Sequence, residues 1–412
     1  PWGYGSTGNV IADILAGRPA QASVGQPSAI GLFKAWNIEA FVQDSWKISR
    51  NFTLEYGLRF GYWGVNTEVN DLGGIFKPEL YDPNQGPYLE DFLVNGVAYA
   101  RLGQVPQQLT DDRPLLWMPR VNFAWDVKGD GDLIVRGGTG AFFTREQGNA
   151  QYNIINLAPN SFSSTLWAGS LQGAFPGQGY NGYSGLDYQT TGLADPFASV
   201  VAPGNIYTTN PFDLEWPRMY NASLSVSKRL PGRNVLEVGY VGTWGRNLYG
   251  SMQQNVLEHG TLYDVYSRDP LLLAALDGNV YDSFKPYPTL SNVGYPVYVG
   301  ISDYHSLQTT LSRQSGNFTY LVAYTLSQAK GTVGADGWLL DPIGDFETRN
   351  YGILATDRTH ILNLSWTWRL GAPANGGLGA ALLNDWNLTG ISTWIGGQPW
   401  RAVYGGDLGT PE

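Results

Sequence analysis

The chain contains no cysteine and only 3 histidines and 3 methionines in 412 residues. Without cysteine there is no disulfide framework, no thiolate zinc site and no cysteine nucleophile. Charge is scarce as well: Asp, Glu, Lys and Arg make up 15%, against about 25% in an average soluble protein. The 25 basic residues are outnumbered by 35 acidic ones, a formal net charge of −10. No basic stripe exists for phosphate, which excludes a nucleic-acid partner. Long apolar runs are missing too. The best, Leu271-Leu272-Leu273-Ala274-Ala275-Leu276, stops after six residues, far short of the roughly 18–20 that a spanning helix needs. A transmembrane strand needs only about 10 alternating residues, so the membrane itself is not excluded. The sequence opens at Pro1 with no initiator Met, charged n-region or apolar h-region, so a secretion signal is expected to be absent or already removed.

Glycine (53 residues) and aromatics (14%) are plentiful. Length alone suggests two or three domains at about 150 residues each, but all-β barrels fold as single larger units. Trp36–Ile48 places Trp36, Ile38, Ala40, Val42, Asp44, Trp46 and Ile48 on one face and Asn37, Glu39, Phe41, Gln43, Ser45 and Lys47 on the other, the period-two signature of a strand. After Ser49-Arg50-Asn51 the pattern resumes over Phe52–Tyr62, making a hairpin. Four more hairpins are expected: Trp117–Val127 with Asp132–Thr144, Arg218–Leu230 with Asn234–Asn247, Asp303–Arg313 with Phe318–Lys330, and Thr359–Leu370 joined by a glycine-rich link to Asp385–Trp394.

Connection lengths alternate. The first four hairpin turns are three or four residues, whereas the stretches between hairpins run 66–116, 145–217, 248–302 and 331–358. Soluble sandwiches seldom carry several structureless loops longer than about 15 residues, while outer-membrane barrels pair short periplasmic turns with long outer loops. Trp36 and Trp46 lie ten residues apart on one face, as do Phe52 and Tyr62. Ten residues at about 3.3 Å, tilted near 40°, rise about 25 Å, the height of an outer-membrane apolar band. Soluble strands average about half that length, which weighs against the rival reading of these aromatics as a sandwich core. The fold expected is all-β: an antiparallel transmembrane β-barrel segment of about ten long strands, part of a larger barrel. Its polar face, expected to line a wet or plugged lumen, carries Glu39, Gln43, Glu55, Arg59, Arg120, Asn122, Arg136, Asn221, Ser223, Ser225, Glu237, Gln308, Thr310 and Ser312, because unpaired charge cannot face hydrocarbon cheaply.

Five segments together resemble a known family. Ala40–Trp63 (AFVQDSWKISRNFTLEYGLRFGYW), Met118–Arg145, Leu230–Tyr249, Tyr304–Gly331 and Asp385–Trp400 are similar, in family order, to the barrels of TonB-dependent outer-membrane receptors. The likeness is to the Oar-like branch, whose members carry a carboxypeptidase-regulatory-like domain ahead of plug and barrel. The resemblance implies a barrel of about 22 strands or somewhat more, a plug inside it, energised uptake through the TonB complex, and a Gram-negative outer membrane with its lipid and lipopolysaccharide as surroundings. No TonB box, plug or terminal aromatic strand is found, so residues 1–412 are expected to be a partial barrel domain of a longer protein.

Catalysis finds little support. His305 neighbours Ser306 and Asp303, but adjacent residues of a strand point to opposite faces and do not converge as a triad must. No cofactor is expected. Gly129-Asp130-Gly131-Asp132 suits a hairpin turn better than a calcium loop, which needs regularly spaced ligands and a distal Glu. Asp336, Asp341, Asp345 and Glu347 cluster in one outer loop as a candidate Ca2+ site, set against a solvated acidic loop. Residues 145–217, rich in Asn, Gly, Tyr and Phe, suit either recognition of an extracellular sugar or peptide or packing among loops and lipopolysaccharide. Arg59, Arg120 and Arg136 are expected to pair with Glu39, Glu55 and Glu237 rather than to bind a ligand. The functional expectation is import of a bulky extracellular solute, without catalysis. Its rivals are a structural or adhesive outer-membrane barrel and a soluble all-β carbohydrate-binding or hydrolase domain, the last predicting cleft carboxylates at glycosidase spacing.

Overall fold

Each period-two segment becomes a strand, and the strands pair in chain order. The computed structural model describes residues 9, 11–12, 21–25, 29–145, 152–161, 163–167, 206–207, 215–258, 261, 284–290, 292–332, 350–372 and 375–400. Ten strands form one antiparallel meander: β1 (Asn37–Lys47), β2 (Phe52–Trp63), β3 (Leu116–Asp126), β4 (Leu133–Phe143), β5 (Arg218–Leu230), β6 (Asn234–Gln253), β7 (Val293–Arg313), β8 (Phe318–Thr332), β9 (His360–Arg369) and β10 (Asn387–Ile395). Every strand bonds to its neighbours in sequence, so the four short turns fall at one end of the sheet, together with the longer β9–β10 link, and the four other connections fall at the opposite end. Among the described residues β1 pairs only with β2 and β10 only with β9, so this part of the sheet is open.

Turn chemistry sets the hairpins. Between β3 and β4 the two oxygens of Asp126 accept the N–H groups of Gly129 (2.9 Å) and Gly131 (2.8 Å), and Asp130 accepts that of Asp132 (2.8 Å). Gly129 and Gly131 sit at φ +82° and +69°, a left-handed region that glycine enters without cost. These carboxylates are spent on the turn, as the hairpin reading requires. Lys128 and Lys228 flank Asp132 at 3.1 and 3.3 Å and hold its carboxyl below the usual carboxylate range.

Register sorts the side chains into two faces. Ile38, Ala40, Val42, Asp44 and Trp46 of β1 stand opposite Tyr62, Phe60, Leu58, Tyr56 and Leu54 of β2. Those of β2 in turn meet Trp117, Pro119, Val121 and Phe123 of β3. This apolar face is not covered: Ile38 is 65% exposed, Val42 64% and Trp394 54%. A sandwich would bury these groups between two layers, and no second sheet packs against them among the described residues. The buried apolar residues lie mostly in the long connections instead. With its antiparallel meander, scarce helix and exposed apolar face, the chain is an all-β barrel segment, and the expected class stands.

Rings on the apolar face lie over glycines. A Cβ on Gly137 would approach Phe123 at 2.6 Å and the Ser223 carbonyl at 3.2 Å. Gly137→Val therefore forces the Phe123 ring off its bed. We expect a loss of about 1–3 kcal/mol from overpacking, read as an earlier urea midpoint of the barrel in detergent.

Three features differ from the expectations. Strands β6 and β7 run on together to Gln253 and from Val293, well past the expected limits at Asn247 and Asp303. The register shifts between Gly245, Leu248 and Gly250 interrupt period two there, which hides the extension from a strict alternation test. The glycine-rich link before β10 holds a helix, α1 (Gly377–Leu383). Finally, 64–115 is folded rather than structureless. It contains one small sheet, Gly74–Phe76 with Val97–Tyr99, and three 3-10 turns, and its Thr67–Glu68 pairs with Phe33–Lys34 ahead of β1 in a second.

Candidate functional site

Register brings the predicted polar residues onto one face. One row across β1–β6 reads Gln43, Gly57, Arg120, Gly140, Asn221, Thr243. The next towards the turns reads Ser45, Glu55, Asn122, Gly138, Ser223, Val241. A third contains Arg136, Ser225, Gly239 and Gln308, and Glu237 faces Ser227 and Thr310 one row below.

Two of the expected ion pairs form. Glu39 accepts from the Arg59 guanidinium on β2 and from Trp63 Nε1 at 2.6 Å. Arg136 approaches Glu237 at 3.9 Å, with both side chains about half exposed, so this contact stabilises little. Arg120 departs from the expectation: its guanidinium lies 4.9 Å from the Phe142 ring centroid, and among the described residues neither it nor Glu55 forms an ion pair. Asp336, Asp341, Asp345 and Glu347 lie outside the described residues, as does most of 145–217. Among the described residues no three His, Asp or Glu side chains gather as a metal site. His305 and His360 accept or donate at Nδ1 to Tyr240 (2.7 Å) and Tyr324 (2.8 Å). Their register partners are Gly242 and Leu326, which places both on the apolar face, away from any lumenal chemistry.

The long connections assemble a cap at the loop end. Tyr99 is fully buried; its hydroxyl donates to the Ala158 carbonyl (2.6 Å) and accepts from Val94 N–H (2.9 Å). Around it pack Phe76, Val94, Val97, Leu157, Ile206, Leu290 and Val293. A second cluster joins Ile75, Ala98, Leu109, Ile154 and Ile155. Several buried polar side chains are paired, as most buried polar groups are, whereas Thr110 Oγ1 and Trp216 Nε1 are buried without a hydrogen-bond partner among the described residues. The Glu68 carboxylate accepts backbone N–H groups from Leu32, Asn70 and Leu72 at 2.9–3.0 Å. Asn95 bonds the backbone of Asp82 twice and that of Gly86 once, and Asn255 clips Tyr287 and Leu290.

A third cluster fastens cap to sheet. Trp216, 2% exposed, packs on Leu116 and Met118 with Trp63 and Phe143 alongside. The Arg113 guanidinium lies 4.1 Å from the Trp216 ring centroid and 4.6 Å from that of Tyr298, a cation–π sandwich, and donates to the Glu215 carbonyl at 3.1 Å. Trp63 carries contact onward, edge-on to Trp216 at 5.6 Å and bonded to Glu39. These joints were missed because none repeats at a fixed spacing. Trp63 continues the polar-face parity of Glu55 and Arg59, and Leu116 and Met118 continue that of Asn122 and Arg120.

Burial pushes the Tyr88 phenol up to about 12 and the Tyr99 phenol higher still. A raised phenol pKa means that the fold favours the neutral form. The cap's stability from these groups is complete below the unfolded value near 10 and is lost as pH rises through about 12. An absorbance titration of phenolate is expected to show a late-ionising fraction whose appearance coincides with protease sensitivity of residues 64–115.

The sequence matches the family described as "Outer membrane beta barrel domain" over residues 2–412. No curated protein matches it. Similar solved structures include the alcaligin outer-membrane receptor FauA of Bordetella pertussis (10% identity, TM-score 0.36, covering 89% of this chain and 38% of that one). Others are the outer-membrane transporter YddB of Escherichia coli (7%, 0.37, 88% and 46%) and the siderophore receptor PirA of Pseudomonas aeruginosa (12%, 0.35, 82% and 43%). The chain thus spans less than half the length of each.

Proposed function

The chain belongs to the outer membrane beta barrel domain family, residing in the outer membrane of a Gram-negative bacterium, and from that premise we propose that it is part of the barrel of a TonB-dependent, Oar-like receptor. The receptor binds a bulky extracellular solute, a siderophore, glycan or peptide, and imports it without chemical change. The described residues contribute ten strands of a larger barrel, further strands close its two open edges, and a plug together with a TonB-contacting segment belongs to the same protein.

The observation that carries this reading is the polar face. Two arginine–glutamate contacts, Asn, Gln and Ser side chains, and glycines at Gly57, Gly138, Gly140 and Gly239 make a wettable wall, with the Asn122 amide and the Phe142 ring leaning over Gly138 and Gly140. Such a wall suits a wide lumen holding water or a plug; a narrow barrel fills its middle with its own side chains. Lumenal Glu39, Glu55, Arg59, Arg120, Asn122, Arg136, Glu237 and Gln308 face the plug or passing solute.

The packed cap favours the rival reading of a structural or adhesive barrel, in which the loops hold neighbours and the lumen stays shut. Energised uptake separates the two. Cells supplied with candidate solutes are expected to accumulate one of them only when both this gene and TonB are intact. Accumulation that persists without TonB contradicts the proposal, and so does a deletion strain indifferent to every solute yet altered in surface attachment.

A further inference from the structure

We propose that a cleft on the polar face, centred on Gly57, binds a carboxylate carried on an apolar body, with Arg120 as its salt-bridging residue. This rests on the reading of that face as lumenal and names the chemistry of a site within it.

The cleft follows from the register. Two adjacent rows across β1, β2 and β3 set Phe41, Arg59 and Met118 above Gln43, Gly57 and Arg120. Five of these six positions carry long side chains and Gly57 carries none, so a depression opens at the centre, lined by the other five. A Cβ there would lie 2.9 Å from Gln43 Cβ and 3.0 Å from the Val42 carbonyl, which leaves glycine as the residue that keeps it open. On the far side of Arg120 the row continues with Gly140, over which the Phe142 ring lies, so the neighbour on that side is an aromatic ring and not a charged group. The guanidinium lies over that ring, 4.9 Å from its centroid.

Charge decides the ligand. Arg59 is neutralised by Glu39, whereas Arg120 is exposed and without an ion pair among the described residues. Glu55 stands one row down, opposite Asn122, and does not reach it. One uncompensated guanidinium with a planar fork suits a carboxylate, which it meets through two parallel hydrogen bonds. The wall beside it, Phe41 at 71% exposure, suits an aromatic or aliphatic body rather than a second charge, while Met118, buried under Trp216, closes the cleft on the loop side.

The carboxylate has two possible bearers, an imported solute or the plug proposed above. Phenylacetate is the probe, with phenylacetamide as its neutral counterpart and calorimetry on the intact protein in detergent as the readout. If a solute bears the group, phenylacetate binds and phenylacetamide does not. Affinity then falls at least about tenfold in Arg120→Gln and Gly57→Val, recovers in part in Arg120→Lys, and is unchanged in Lys228→Gln. If the plug bears it, phenylacetate is excluded, and Arg120→Gln, but not Arg120→Lys, lowers the unfolding temperature by several degrees. Equal binding of the two probes, binding indifferent to Arg120→Gln, or neither binding nor a shift in unfolding each overturns the proposal. A barrel that imports nothing passes this test, and an importer whose cleft is inert fails it, so the two readings fail separately.

Discussion

Replacing Leu58 by arginine is expected to destabilise the barrel by about 2–4 kcal/mol in lipid or detergent. Leu58 stands on the apolar face between Val42 of β1 and Pro119 of β3, in the middle of β2 (Phe52–Trp63). A guanidinium there has no water, and the nearest carboxylate on that face, Asp44 one row towards the turn, already accepts from the Tyr56 hydroxyl, so its cost is that of charge near the hydrocarbon midplane. Ser225→Arg adds the same group at similar height on the other face, between Arg136 and Gly239. Water and the nearby Glu237 carboxylate receive it, and the loss should stay below about 1 kcal/mol, as for surface changes generally. Folding titrations into vesicles measure both. Equal losses would mean that the faces are wrongly assigned.

Trp216→Ala should be the most damaging change outside the strands, at about 3–5 kcal/mol for removal of a buried aromatic. It deletes the ring on which Arg113 lies and the edge contact with Trp63, and leaves a hole over Leu116 and Met118. The loss falls on the joint between cap and sheet. Hydrogen exchange is therefore expected to accelerate through 97–113 and around 215–217 while β5 and β6 below stay protected. Uniform acceleration through the ten strands would show that Trp216 supports the whole barrel rather than the cap. Trp216→Phe, which keeps most of the packing, should recover most of the protection.

The sheet was legible in the sequence because one physical constraint acts on every strand. A strand with hydrocarbon on one side and a polar space on the other must alternate, and does so from Trp36 to Trp46 without regard to its neighbours. Nine strand pairings then bring like faces together, as from Val42 through Leu58 to Pro119. Turn chemistry was legible for the same local reason, glycines and aspartates at 126–132 serving their own backbone. The cap obeys no such rule. Tyr99 packs against residues as distant as Leu290 and Val293, and nothing in 64–115 repeats at two or 3.6 residues to announce it. The polar-face residues were named from parity, yet which cation stays unpaired depended on register. Arg59 and Arg136 found glutamates, whereas Arg120 fell between two glycines.

Because the chain has no native cysteine, single cysteines can be placed one at a time from Leu54 to Phe60 and labelled with a nitroxide in vesicles. Collision with oxygen, which concentrates in hydrocarbon, should be high at Leu54, Tyr56, Leu58 and Phe60. Collision with a water-soluble nickel chelate should be high at Glu55, Gly57 and Arg59 or, where a plug fills the lumen, low for both reagents. Strict alternation over these seven positions is the predicted result, and nickel accessibility at the even-numbered positions equal to that in free solution would contradict the account.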